Sequence, residues 1–173
     1  MERVGKFEKV SFEQFFDAIK SDFYSDADSS ELDEHIRDLY DAIQLPKRAT
    51  SGSAGYDLRS PVPLELAPGD SVKIPTGVRA LIHEGWWLGC FPRSGLGFKF
   101  KARLANTVGV IDADYAGSKN EGHIFIKLCN EGDKTITVNQ GDAVIQAVFL
   151  PFGITVDDDA TGVRDGGFGS TGR

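Results

Sequence analysis

The residues that could do chemistry lie in a few short stretches. Asp112 and Asp114 follow directly on the apolar Gly109-Val110-Ile111, with Tyr115 next and Asn106 just ahead. A carboxylate adjoining a buried-looking run can hold and deprotonate a water or attract a hydrated Mg²⁺. An aspartate-rich turn closing a hairpin would read the same way. Phe91-Pro92-Arg93-Ser94-Gly95-Leu96-Gly97 combines a guanidinium, a hydroxyl and glycine-exposed amides, a set suited to an anion, although Arg93 read alone is first a surface salt-bridge residue. Pro92 stands where a nucleophile elbow needs its first glycine, and no histidine is placed to activate Ser94. Ala54-Gly55-Tyr56-Asp57-Leu58 sets a carboxylate at what otherwise reads as a strand start.

The C-terminal Gly167-Phe168-Gly169-Ser170-Thr171-Gly172 matches GxGxxG letter for letter. A dinucleotide fingerprint must follow a strand and open a helix, and only Arg173 remains. A P-loop is excluded by the missing GK[ST]. What survives is local chemistry: glycine amides that can converge on an anion, the hydroxyls of Ser170 and Thr171, and the cation of Arg164. Such a segment either closes over a phosphate chain or is a plain glycine-rich tail.

Elements must position these residues, and the chain divides sharply. Residues 1–45 hold 12 acidic and 5 basic side chains, whereas residues 46–173 hold 14 of each, so the whole net charge of -7 belongs to the first quarter. Gly5 is the only glycine before position 51, and no proline precedes Pro46. Ser11-Phe12-Glu13-Gln14 fits a capping box, with Phe12, Phe15, Phe16, Ile19 and Phe23 at helical spacing. A second helical run opens at Ser30, with Leu32, Ile36, Leu39, Tyr40 and Ile43 on one face. A helical hairpin this small cannot bury itself and should dock on the rest. From Pro46 onward, β-rich runs at 64–66, 78–82, 123–128 and 143–150 alternate with turn clusters at Pro68-Gly69-Asp70, Asn130-Glu131-Gly132-Asp133 and Asn139-Gln140-Gly141-Asp142. The pattern predicts an all-β sandwich, jelly roll or barrel. Phe98–Leu104 reads either as an alternating strand or as a short helix after Gly97.

The acidic balance argues against a nucleic-acid binder. No apolar run approaches a membrane span, and the start shows no secretory h-region. Cys90 and Cys129 lack metal or disulfide spacing, and the expected compartment is reducing cytoplasm.

Taken in order, the stretches resemble the motifs of the homotrimeric dUTP diphosphatases (dUTPases): 54–58, 92–97, 109–115 with Asn106 ahead, Gly141-Asp142-Ala143-Val144-Ile145-Gln146, and 164–172. The chain departs from that pattern at Gly97, Ala143 and Ile145, and carries an extra Ser118-Lys119-Asn120-Glu121-Gly122. The resemblance implies one jelly-roll-like domain over 1–173, with a helical insertion at 11–45 and a mobile glycine-rich arm at 157–173. It implies a homotrimer with active sites shared between subunits, acting on dUTP with Mg²⁺ to give dUMP and pyrophosphate, with neither nucleic acid nor membrane as partner. Asp112 would be the general base, and Asp57 would hold water around Mg²⁺. Asn106, Gly109 and Ile111 would bind uracil, and Tyr115 would pack against the deoxyribose. Arg93, Ser94, Gly95 and Gln146 would contact the triphosphate. Arg164, Gly169, Ser170 and Thr171 would come from the arm, with Phe168 over the uracil. A dCTP deaminase of the same fold and a non-catalytic nucleotide-binding regulator are the rival readings. The Asp112–Tyr115 pattern and the arm favour pyrophosphate release.

Overall fold

A computed structural model describes residues 2–27, 29–162 and 164. The described chain runs β1 (Gly5–Lys9), α1 (Phe12–Phe23), α2 (Ser30–Asp41), β2 (Tyr56–Arg59), β3 (Leu64–Leu66), β4 (Ser71–Pro75), β5 (Val78–Ile82), β6 (Trp86–Pro92), α3 (Ser94–Phe100), β7 (Ala102–Leu104), β8 (Gly109–Ile111), a 3-10 turn (Ala113–Gly117), β9 (Phe125–Asn130), β10 (Ile136–Val138) and β11 (Ala143–Pro151). All strand pairs are antiparallel, in the orders β1-β5, β3-β10, β2-β11-β6-β8 and β4-β9-β7. This is the all-β class that the short strands and tight turns predicted, in the jelly-roll-like form that the resemblance implied.

Period-two alternation builds the core. In β9, Ile126, Leu128 and Asn130 are buried while Lys127 faces out. In β11 a register shift between Ala143 and Ile145 inserts Val144 as a bulge, so Val144 and Ile145 are both buried. The inward set, including Leu58, Ile74, Leu88, Ile111, Ile124, Leu128 and Ile136, forms one cluster.

The hairpin is present and docked. Ser11 caps α1 by accepting from the Gln14 amide at 3.2 Å. α2 opens at Ser30 as expected, and Ser29 caps it by accepting from the Leu32 amide. Phe15, Ile19, Ile36 and Leu39 pack with Val10 and Val62 into a second core, and Ile43 packs against both cores. Burying each of those side chains stabilises the docked hairpin by roughly 1.5–3 kcal/mol. Polar ties fix its orientation: Tyr40 donates to the Val10 carbonyl at 2.7 Å, Lys9 to the Tyr40 carbonyl at 2.7 Å, and Lys73 pairs with Asp22 at 2.9 Å.

Two readings of local structure change. The ambiguous stretch divides, Phe98 to Phe100 ending helix α3 and Ala102–Leu104 forming a strand, with Lys101 between them in the left-handed region at φ 51°. The strand expected at 123–128 begins instead at Phe125. The His123 amide is taken by the Asn120 carbonyl and the Ile124 amide by the Val78 carbonyl, which draws both residues out of the ladder.

Candidate active site

Two groups of the expected residues assemble, at opposite ends of β6. At the C-terminal end, Asp57 of β2 lies opposite Gln146 of β11. Arg93 follows β6, places Nε 3.2 Å from Asp57 Oδ1 and donates from Nη1 to the Ala143 carbonyl at 3.3 Å. Gly55 permits close approach here, since a Cβ on it would sit 2.8 Å from Gln146 Oε1. Ser94 and Gly95 open α3, so their amides have no intrahelical acceptor. Arg93, Ser94, Gly95 and Lys99 face Asp142 and Ala143 across a cleft of about 440 Å³. A guanidinium, an ammonium, a hydroxyl, helix-opening amides and the carboxylates of Asp57 and Asp142 suit a phosphate chain with a partly hydrated divalent cation. Mg²⁺ typically takes only one or two protein carboxylates and draws its other oxygens from water and substrate phosphates, so Asp57 fits it.

The second group gathers where β8 ends. β8 is an edge strand, so one row of its backbone amides and carbonyls has no partner within the sheet. Gly109 and Ile111 are buried and Val110 is exposed. Asp112 follows immediately, its side chain half exposed, and Tyr115 lies buried in the 3-10 turn beyond. The Tyr115 hydroxyl donates to the His123 carbonyl at 2.9 Å and accepts from Asn120 Nδ2 at 2.7 Å. Burial pushes this phenol up, opposed by Asn120 and by the charge of Arg164. Asn106, in the turn joining β7 to β8, shares a cleft with Asn120, Phe125, Lys73 and Lys127.

Arg164 lies with this second group. Its Nε donates to Asp114 Oδ1 at 2.8 Å, its Nη2 pairs with Asp112 Oδ2, and the guanidinium stands 5.6 Å from the Tyr115 ring centre. Phe168, Gly169, Ser170 and Thr171 lie outside the described residues.

The two groups stay apart within one chain. Leu88 pairs with Ile111 and Cys90 with Gly109, so Asp112 lies level with Trp87, six residues back from Arg93. At ~3.3 Å per residue that is a separation of roughly 20 Å along β6.

Sequence reading missed His123 and the positioning part played by Asn120. The sequence marks segment 118–122 only as a departure from the family pattern; Ser118 and Asn120 fold back onto Tyr115, whereas Glu121 reaches Ser11 across 110 residues. His123 is fully buried, and its Nε2 accepts from the Gly77 amide at 2.8 Å. Burial chiefly, with Lys73 assisting and Glu121 opposing, pushes its pKa down from 6.5 to about 4. The unfolded chain takes up a proton near 6.5 and the folded chain only near 4. Stability is therefore level above pH 6.5 and falls by up to about 3 kcal/mol as the pH drops toward 4. Denaturant midpoints measured across that window should show the fall, and His123→Gln should flatten it. An equal slope in the variant would assign the loss to other groups.

A sequence model of the dUTPase family matches residues 41–172. The deoxyuridine 5'-triphosphate nucleotidohydrolase of Lactococcus lactis is 41% identical over 133 residues, covering 75% of this chain and 89% of that one. Its counterpart in Desulfitobacterium hafniense is 45% identical over 139 residues, covering 76% and 89%. The crystal structure of the dUTPase from Streptococcus mutans superposes with a TM-score of 0.59 at 44% identity, over 64% of this chain and 88% of that one.

Proposed function

Because the chain belongs to the dUTPase family, we propose that it hydrolyses dUTP to dUMP and pyrophosphate, as a single domain that works in a homotrimer in the cytoplasm. The observation that carries this reading is the run from edge strand β8 into Asp112 and Tyr115. Edge-strand backbone groups, a carboxylate and a buried aromatic ring follow one another within seven residues, 109 to 115. The open backbone of Gly109–Ile111, with Asn106, would hydrogen-bond the pairing edge of uracil. A cytosine would leave some of those groups unpaired, which can cost up to ~10⁴-fold in kcat/KM. Thymine differs by a methyl group, and its rejection falls to the steric wall of the turn between β7 and β8. Tyr115 would lie against the deoxyribose and leave no room for a 2′-hydroxyl.

Asp112 would accept a proton from a water whose oxygen attacks the α-phosphorus, and the bond to the β-phosphate oxygen would break with pyrophosphate leaving. Arg93, Ser94, Gly95 and Gln146 would hold the triphosphate, and Asp57 would bind water around Mg²⁺, which supplies charge neutralisation on the phosphates. Catalysis of this kind depends on positioning and charge rather than on a covalent nucleophile. Arg164 must release Asp112 before that carboxylate can act. A triphosphate offers a guanidinium the stronger partner. The arm residues Phe168, Gly169, Ser170 and Thr171 would then close on the nucleotide.

The roughly 20 Å between Asp112 and Arg93 supports shared sites, in which one protomer brings the base to a phosphate cleft on another. The test is pyrophosphate release across dUTP, dTTP, dCTP and UTP. Turnover of dUTP should exceed that of the other three by at least about 10²-fold in kcat/KM. Ammonia release from dCTP would mark a deaminase, and binding without turnover would mark a regulator.

A further inference from the structure

The hydrogen bonds around Tyr115 continue past the site into the helical hairpin. Asn120, which donates to the Tyr115 hydroxyl, is held at its other end by Ser118. Ser118 Oγ lies 2.6 Å from both Asn120 Oδ1 and the Tyr115 carbonyl. The loop then presses against the 3-10 turn. Gly122 has φ 73°, and a Cβ on it would stand 2.6 Å from the Ala116 Cα. Glu121, in the left-handed region at φ 59°, reaches across to α1. Its Oε2 accepts from the Ser11 amide at 2.7 Å and its Oε1 from Ser11 Oγ at 2.6 Å.

His123 makes a second tie. Its Nε2 accepts from Gly77, so the neutral ring carries its hydrogen on Nδ1. Gln14 of α1 places its amide Nε2 3.4 Å from that nitrogen, and turning the amide over brings its oxygen to the position that accepts. A loop that only connected the 3-10 turn to β9 would need neither a left-handed glutamate nor these long-range bonds.

We propose that residues 118–123 and the start of α1 form a brace that positions Tyr115, so that Asn120, Glu121 and Ser11 set how strictly the site rejects a 2′-hydroxyl. The proposal rests on the reading of Tyr115 as the wall beside the sugar. Steric rejection needs a wall that does not yield, and a ring tethered at its hydroxyl through a connected network yields less than one held by packing alone. The two segments that set this chain apart from the family pattern, the hairpin and the 118–122 insertion, are then parts of one device.

The test uses the full chain and its Asn120→Ala, Glu121→Ala and Glu121→Gln variants. The readouts are kcat/KM for dUTP and UTP, with thermal midpoints alongside. Loss of one or two part-buried hydrogen bonds should lower the dUTP-to-UTP ratio about five- to tenfold in Asn120→Ala and Glu121→Ala. The gain should come mainly through UTP, with kcat on dUTP held within about twofold. Glu121→Gln keeps an acceptor for the Ser11 amide and should restore most of the ratio. Equal losses on both substrates, or an unchanged ratio with a lower midpoint, would make the brace structural only and overturn the proposal. A wild-type chain that rejects UTP while the alanine variants reject it equally well removes this proposal alone. A wild-type chain without dUTP turnover removes the proposed function and the brace with it.

Discussion

Asp112→Asn should fold, assemble and bind a non-hydrolysable dUTP analogue, yet release pyrophosphate from dUTP about 10³-fold more slowly than the wild type, the size typical of losing a general base. Asparagine keeps the shape and the hydrogen-bonding carbonyl but cannot accept a proton at neutral pH. The side chain is half exposed and contributes nothing to the core, so stability should barely change. Asparagine also lacks the charge that Arg164 holds, so the Arg164 contact weakens and analogue binding should be equal or slightly tighter. Single-turnover pyrophosphate release and analogue titration separate the two effects. An unchanged rate would remove Asp112 from the chemistry.

Subunit complementation tests the geometry most severely. Arg93→Ala should be nearly inactive alone, because it removes the guanidinium of the phosphate cleft beside Asp57. Asp112→Asn should be nearly inactive for the reason above. If Asp112 of one protomer serves the Arg93 cleft of another, chains of the two variants mixed in equal amounts and refolded together should regain about a quarter of the sites. That fraction follows from random pairing, since each site draws one residue from each of two chains. The mixed and wild-type species should both run near 56 kDa, about three times the 18.8 kDa chain. A mixture no more active than its parts would place the whole site within one chain, against the roughly 20 Å that β6 sets between the two residues.

Much of the body's structure was written locally. Ser11 and Gln14 announce the start of α1 because a cap needs only residues three apart, and the turn clusters mark strand ends because glycine and asparagine accept the required backbone angles. The pairing of Asp57 with Gln146 and Arg93 was legible only as the order of motifs, since those residues lie up to 89 positions apart.

Other features had no local signal. Phe98–Leu104 satisfied two periodicities at once, and only a left-handed Lys101 between helix and strand resolved them. The extra 118–122 segment read as a polar loop, because a hydrogen bond from Ser11 to Glu121 across 110 residues leaves no periodicity in either.

By itself, the sequence determined the chemical inventory and its family: a carboxylate after an apolar run, an arginine-serine-glycine loop, short strands between glycine turns. Those depend on residue type and near-neighbour spacing, which the chain carries openly. Tertiary structure alone decided that Asp112 and Arg93 sit at opposite ends of one strand, and that Tyr115 is fastened to the hairpin through Asn120 and Glu121. Strand register and long-range hydrogen bonds are set by how a whole core packs, a property that no single stretch of residues contains.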